Sequence, residues 1–171
     1  MKTFLLLISI LFSHHVVADL SIAQQHVDNA QLVGKARFKV LFWSVFDAEL
    51  YAEKGEFSQD KPFTLSLSYL REIKGSEIVA KSMSEIKSQD NFPSEKLATW
   101  KSTLDSIIPD VDTSITITGV QNNNSHTLFY KNGTLIGEIK DPEFTRAFFN
   151  IWLGEKTSEP KLRSRLLGLA Y

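Results

Sequence analysis

The 171-residue chain contains no cysteine. That excludes disulfides, thiol nucleophiles, thiolate metal ligands and a lipobox cysteine for a lipid anchor. Glycine and proline are sparse, at 8 and 5 residues. They gather nowhere into a glycine-rich phosphate loop, a G-x-S-x-G elbow or a low-complexity linker. Of the 4 histidines only His14 and His15 adjoin. His26 and His126 stand far apart without clustered carboxylates, so neither a metal site nor a cofactor is expected. An excess of charge of either sign is lacking too: 19 basic against 20 acidic residues leave a net charge of −1, with no footprint for nucleic acid. No apolar run reaches the roughly 20 residues that span a bilayer.

What is present begins with an export signal. Lys2 precedes the apolar run Phe4–Phe12, and Val16-Val17-Ala18 supplies small residues for cleavage after Ala18. Residues 1–18 are read as a signal peptide and 19–171 as one domain, with no stable membrane insertion once the signal is gone. A cysteine-free exported domain of this length relies on its core alone, which suits a bacterial periplasm.

Periodicity then dictates the elements. In Val33–Glu53 two strand-like runs lie back to back. Ala36, Phe38, Val40 and Phe42 alternate with Lys35, Arg37, Lys39 and Leu41, and Phe46, Ala48 and Leu50 alternate with Asp47, Glu49 and Tyr51. A third strand, Phe63–Leu70, ends at Arg71. Ser76 is the expected N-cap of a helix carrying Val79, Met83 and Ile86, and a second helix from Ser94 carries Leu97, Trp100, Leu104 and Ile107. Ile115, Ile117 and Val120 mark a fourth strand. His126–Lys131 and Thr134–Ile139 form a hairpin over Asn132-Gly133. Asp141-Pro142-Glu143 opens a helix with Phe144, Ala147, Phe148, Ile151 and Trp152 on one face, and Ser158 is expected to cap a last short helix. Antiparallel strands interrupted and closed by helices make an α+β fold, a large antiparallel β-sheet backed by a layer of α-helices.

Together, GKARFKVLFWSVFDAELY, PFTLSLSYLREIKG, LFYKNGTLIGEI and DPEFTRAFFNIWLG with its trailing LRSRLLG resemble the exported bacterial branch of the chalcone isomerase-like family. The resemblance implies an open-faced β-sandwich with a small-molecule cleft between sheet and helices. Some relatives close a flavanone ring, and others bind fatty acids. It further implies that Arg37, matching an arginine on the first strand, faces a carboxylate or phenolate, as a bidentate guanidinium can. Where the enzymes carry helper tyrosines, this chain has Phe46 and Trp100, so the catalytic set is incomplete and no catalytic residue is assigned. Alternation puts Arg37 on the strand face opposite Phe38 and Val40, so a place in the cleft requires a bulge.

The expected function is that of an exported, non-enzymatic binding protein holding a fatty acid or similar amphipathic anion. Its ligand set would be Arg37, Phe46, Tyr51, Tyr69 and Arg71. The stripe Phe144, Phe148, Trp152 is read first as packing against the sheet, and lining an acyl pocket is a second use open to the same side chains. Two alternatives accompany this reading: an accessory protein binding another periplasmic protein, and an isomerase or lyase using Arg37.

Overall fold

The computed structural model describes residues 15–169, with side chains from Leu20 onward. The signal peptide expected at 1–18 therefore lies outside the described residues, apart from the backbone of His15–Ala18. Six strands form one antiparallel meander in which each pairs only with its sequence neighbour: β1 (Ala30–Val40), β2 (Trp43–Glu53), β3 (Phe63–Tyr69), β4 (Thr116–Gln121), β5 (Thr127–Lys131) and β6 (Thr134–Ile139). Helices α2 (Gly75–Gln89), α3 (Ser94–Ile107), α4 (Pro142–Leu153) and α5 (Pro160–Leu166) back one face, whereas α1 (His15–His26) packs on the other.

Register explains the two faces. Phe46 pairs with Tyr69, Ala48 with Leu67 and Leu67 with Ile117, while Leu50, Leu65, Gly119 and Phe129 form a continuous row. These inner rows meet Phe144, Phe148 and Phe149 of α4 in a single core. Gly119 lets the Phe149 ring lie on the sheet, since a Cβ there would come within 3.1 Å of it. The outer rows are polar, running Arg37, Asp47, Ser68, Thr116 and Lys35, Glu49, Ser66, Thr118. Ser66 and Thr118 share a 3.0 Å hydrogen bond, and Ser68 and Thr116 one of 2.9 Å. Ile22 of α1 packs on Val120 and Tyr130 of this outer face, and His26 Nε2 lies 2.8 Å from the Tyr130 hydroxyl.

Local signals place most boundaries. Asp141 accepts hydrogen bonds from the Glu143 and Phe144 amides, with Pro142 at the first helical position. Asn132 and Gly133 turn the β5–β6 hairpin with φ of 47° and 83°, the left-handed pair that such a turn demands. Three expectations are corrected. The first strand stops at Val40, and Leu41-Phe42 is a turn rather than a continuation of the alternation. Leu41 takes φ 54° there, a conformation that costs a branched residue about 1–2 kcal/mol. The N-cap of α2 is Lys74, not Ser76, because Asp110 reaches across to accept from the Gly75 amide at 2.9 Å. The N-cap of α5 is Glu159, not Ser158, whose hydroxyl is engaged with Glu85.

One glycine positions the site. A Cβ on Gly34 would lie 2.2 Å from the Arg165 carbonyl oxygen and 2.6 Å from that of Leu166. Only glycine lets the end of α5 settle directly on the β1 backbone.

Candidate ligand-binding cleft

Where β1–β3 run under α2, α4 and α5, the inner face does not close completely. A cleft of about 460 Å³ opens there, floored by Phe38, Phe46, Leu67 and Tyr69, with Trp152 of α4 and Leu162 of α5 among its apolar walls. That volume lies within the roughly 300–1,000 Å³ typical of small-molecule sites. Toward the centre of the sheet the gap shrinks to about 40 Å³ among Leu65, Ile117, Phe129 and Phe148, close to the space one water occupies. A second hollow of about 480 Å³ lies between α2, α4 and the approach to α5, but Gln59, Asp90, Arg146, Asn150 and Lys156 make its lining polar.

The floor is aromatic and ordered. Phe38 stacks on Phe46 at 5.0 Å between ring centres, and Phe46 meets the Tyr69 ring edge-on at 6.1 Å. Tyr69 is 5% exposed, and its hydroxyl makes no hydrogen bond to any described residue. Burial pushes its phenol far above the usual value. It is a neutral donor throughout the working pH range, with no described residue to receive it.

The rim carries Glu77, Lys81, Glu85 and Glu159. Glu85 is buried, which alone would raise its pKa; hydrogen bonds from Lys81 and Ser158, with the Lys81 charge, outweigh that and hold it below the usual carboxylate value. The Lys81 ammonium lies 2.6 Å from the Glu85 carboxylate. The rim thus presents three carboxylates against one ammonium, and that ammonium is already engaged.

Of the five residues expected at the ligand, the structure brings Phe46 and Tyr69 to the cleft and places the other three elsewhere. Arg37 is on the outer face, where it donates to Asp47 through Nε at 2.6 Å and a terminal nitrogen at 2.7 Å. That bidentate hydrogen bonding, reinforced by the Asp47 charge, raises its pKa. Shifts of register occur at Leu32/Gly34 and at Phe38/Lys39, so Ala36, Arg37 and Phe38 alternate without interruption. Tyr51 lies on the same outer face and donates to Glu49 at 2.7 Å. Arg71, two residues beyond β3, holds its guanidinium 5.7 Å from the centre of the exposed Trp43 ring. Lys81, Ser82 and Glu85 escaped sequence reasoning. Their one signal was the lysine–glutamate i,i+4 spacing, which looks the same on a solvated face. Trp100 donates from Nε1 to Asp141 at 2.9 Å. Among the described residues no group of histidines and carboxylates could hold a metal ion, and no helix is long and apolar enough to cross a membrane.

Comparison with known proteins agrees with this architecture. The sequence model of the family described as chalcone isomerase-like matches residues 17–168. An uncharacterized protein of Haemophilus influenzae is 24% identical over 139 residues, covering 81% of this chain and 68% of that protein. Among solved structures, a fatty-acid binding protein of Arabidopsis thaliana superposes with a TM-score of 0.63. It is 14% identical, with 82% of this chain and 87% of that one covered.

Proposed function

This chain belongs to the chalcone isomerase-like family, and from that premise we propose that it is an exported protein that binds, without transforming, a fatty acid or similar amphipathic molecule in the cleft over β1–β3. The observation that carries this reading is a cleft of about 460 Å³ with an apolar, aromatic floor that includes Tyr69, whose hydroxyl makes no hydrogen bond to any described residue. A ligand head group that accepts a hydrogen bond would give that hydroxyl a partner. The aromatic floor and Trp152 offer the tail its apolar surface. Fatty-acid binding by the Arabidopsis protein of the same fold supports the choice of ligand class. The Lys2, Phe4–Phe12 and Ala18 pattern supports export.

The charge balance at the rim refines the head group. Glu77, Glu85 and Glu159 repel a carboxylate, and Lys81 is engaged with Glu85. The cleft therefore favours the neutral carboxylic acid over its anion, and retention rises as pH falls toward the ligand's own pKa. The isomerase reading finds no support in the geometry, since Arg37 is committed to Asp47 on the opposite face.

The test is native mass spectrometry of residues 19–171 purified gently after export, together with uptake of a fluorescent fatty acid by the delipidated protein. The expected result is a discrete lipid adduct and saturable uptake, both diminished by Val45→Trp, which fills part of the cleft wall. A clean apo mass together with no uptake would overturn the reading.

A further inference from the structure

The two two-residue hairpin turns of the sheet are built from opposite chemistry. The β5–β6 turn is Asn132-Gly133, polar and conformationally at ease. The β1–β2 turn is Leu41-Phe42, followed by Trp43, and these side chains are 85%, 96% and 67% exposed. Val40, just before the turn, is half exposed. Leu41 adopts the left-handed conformation without being glycine or asparagine. Turn chemistry does not explain this sequence, and neither does packing. Four consecutive apolar residues at a protruding tip are exposed at a cost in hydration, in a place where a soluble protein normally presents turn residues.

Cations flank the tip. Lys39 is exposed beside Val40, and Arg71 stacks over Trp43 at 5.7 Å; among the described residues neither makes an ion pair. Glu72, next to Arg71, is the neighbouring acid. Arg37 is neutralised by Asp47. Leu, Phe and Trp at a tip, with lysine and arginine at its shoulders, is the arrangement that seats a peripheral protein at the headgroup boundary. A tip of four side chains cannot supply the roughly 800 Å² per partner that a stable protein interface needs. A bilayer requires only insertion to a depth of roughly 5–10 Å. The tip is also continuous with the cleft, since Phe38 and Val40 contribute to the cleft wall.

We propose that the β1–β2 hairpin tip, Val40–Trp43, is a membrane-docking element that inserts into the interfacial layer of a lipid bilayer, with Lys39 and Arg71 meeting anionic headgroups. Docking there sets the mouth of the cleft against the lipid surface. The use of that juxtaposition, loading or unloading an acyl chain, rests on the ligand reading above; the docking does not.

The experiment is flotation of the mature protein with phosphatidylcholine vesicles, with and without phosphatidylglycerol, while tryptophan emission is recorded. Trp100 is buried and Trp152 is half buried in the cleft wall, so a blue shift on vesicle addition reports Trp43. Wild type is expected to float, with a blue shift, more strongly on phosphatidylglycerol-containing vesicles and less as salt is added. The variant Leu41→Asn/Phe42→Gly installs the turn chemistry of the other hairpin, so folding is preserved or improved. It should partition about ten-fold or more weakly, with fatty-acid uptake in free solution unchanged. Failure of wild type to float on either vesicle would overturn the proposal, as would self-association that Leu41→Asn/Phe42→Gly abolishes. Fatty-acid uptake measured without vesicles tests the cleft separately, so the two readings fail independently.

Discussion

Replacing Tyr69 with phenylalanine removes one oxygen atom from the cleft wall and leaves the ring, its contact with Phe46 and the shape of the floor intact. In the ligand-free protein the residue is 5% exposed and its hydroxyl makes no hydrogen bond to any described residue. A fully buried unsatisfied hydroxyl would cost about 1–3 kcal/mol; on the wall of the open cleft water recovers most of that. The variant is therefore expected to be more stable than wild type by up to about 1 kcal/mol, or about 2–4 °C in Tm for a chain of this size. Binding moves the other way. Loss of one hydrogen bond to the head group, about 0.5–1.5 kcal/mol, weakens affinity roughly 2- to 10-fold. Alkaline pH gives a third readout. Burial raises the phenol's pKa in the folded state, so the neutral form that folding prefers is fully available below the unfolded value of about 10. Wild-type stability should fall as pH rises above about 10, where only the unfolded chain ionises, and Tyr69→Phe should lose less. Urea titrations at neutral and alkaline pH, with displacement of a fluorescent fatty acid, measure all three. Destabilisation by more than about 1 kcal/mol would mean that the hydroxyl already has a structural partner. Unchanged affinity would mean that it does not face the ligand. Either result refutes the reasoning.

Other perturbations separate scaffold from site. Arg37→Ala should leave fatty-acid affinity unchanged in the displacement assay, because the guanidinium is tied to Asp47 on the far side of the sheet. Asp141→Ala removes the cap of α4 and strands the Trp100 indole, with an expected loss of about 1–2 kcal/mol in urea unfolding. Burial opposes ionisation of Asp141, but hydrogen bonds from Trp100, Phe144 and Glu143 and the Lys96 charge prevail and lower its pKa. Its contribution is thus present above the unfolded carboxylate value of about 3.9 and disappears as pH falls further. Gly34→Ala drives a methyl group into the Arg165 and Leu166 carbonyls. It should cost about 1–3 kcal/mol and weaken ligand retention as well, since α5 supplies Leu162 to the cleft wall. Phe144→Ala, at the junction of Trp100 and Phe148, should cost about 3–5 kcal/mol in the same unfolding assay.

Features set by near neighbours were legible in the sequence. Alternation in Phe46–Leu50 and Phe63–Tyr69, the Asn132-Gly133 turn and the Asp141-Pro142 helix start each act over a few residues. Legibility failed where the decisive partner is distant. The α2 start is capped by Asp110, 35 residues away from Gly75, which hides Lys74 as the N-cap. The Ser158 hydroxyl finds Glu85 on another helix, so it cannot cap α5. Leu41-Phe42 carries no turn residue, and the alternation ran through it on paper. For Arg37, strand periodicity and family resemblance point to opposite faces, and the uninterrupted register from Ala36 to Phe38 follows periodicity.

The meander has a consequence for the order in which the molecule is assembled. Each strand pairs with the one before it, so the sheet grows by local steps and the floor of the cleft is complete once Tyr69 has joined β2. Its far wall arrives only when α5, some ninety residues later, seats its last turn on Gly34. Enclosure of the cleft is therefore a property of the chain with α5 in place, and a chain cut short of that helix would carry the floor without the wall that closes over it.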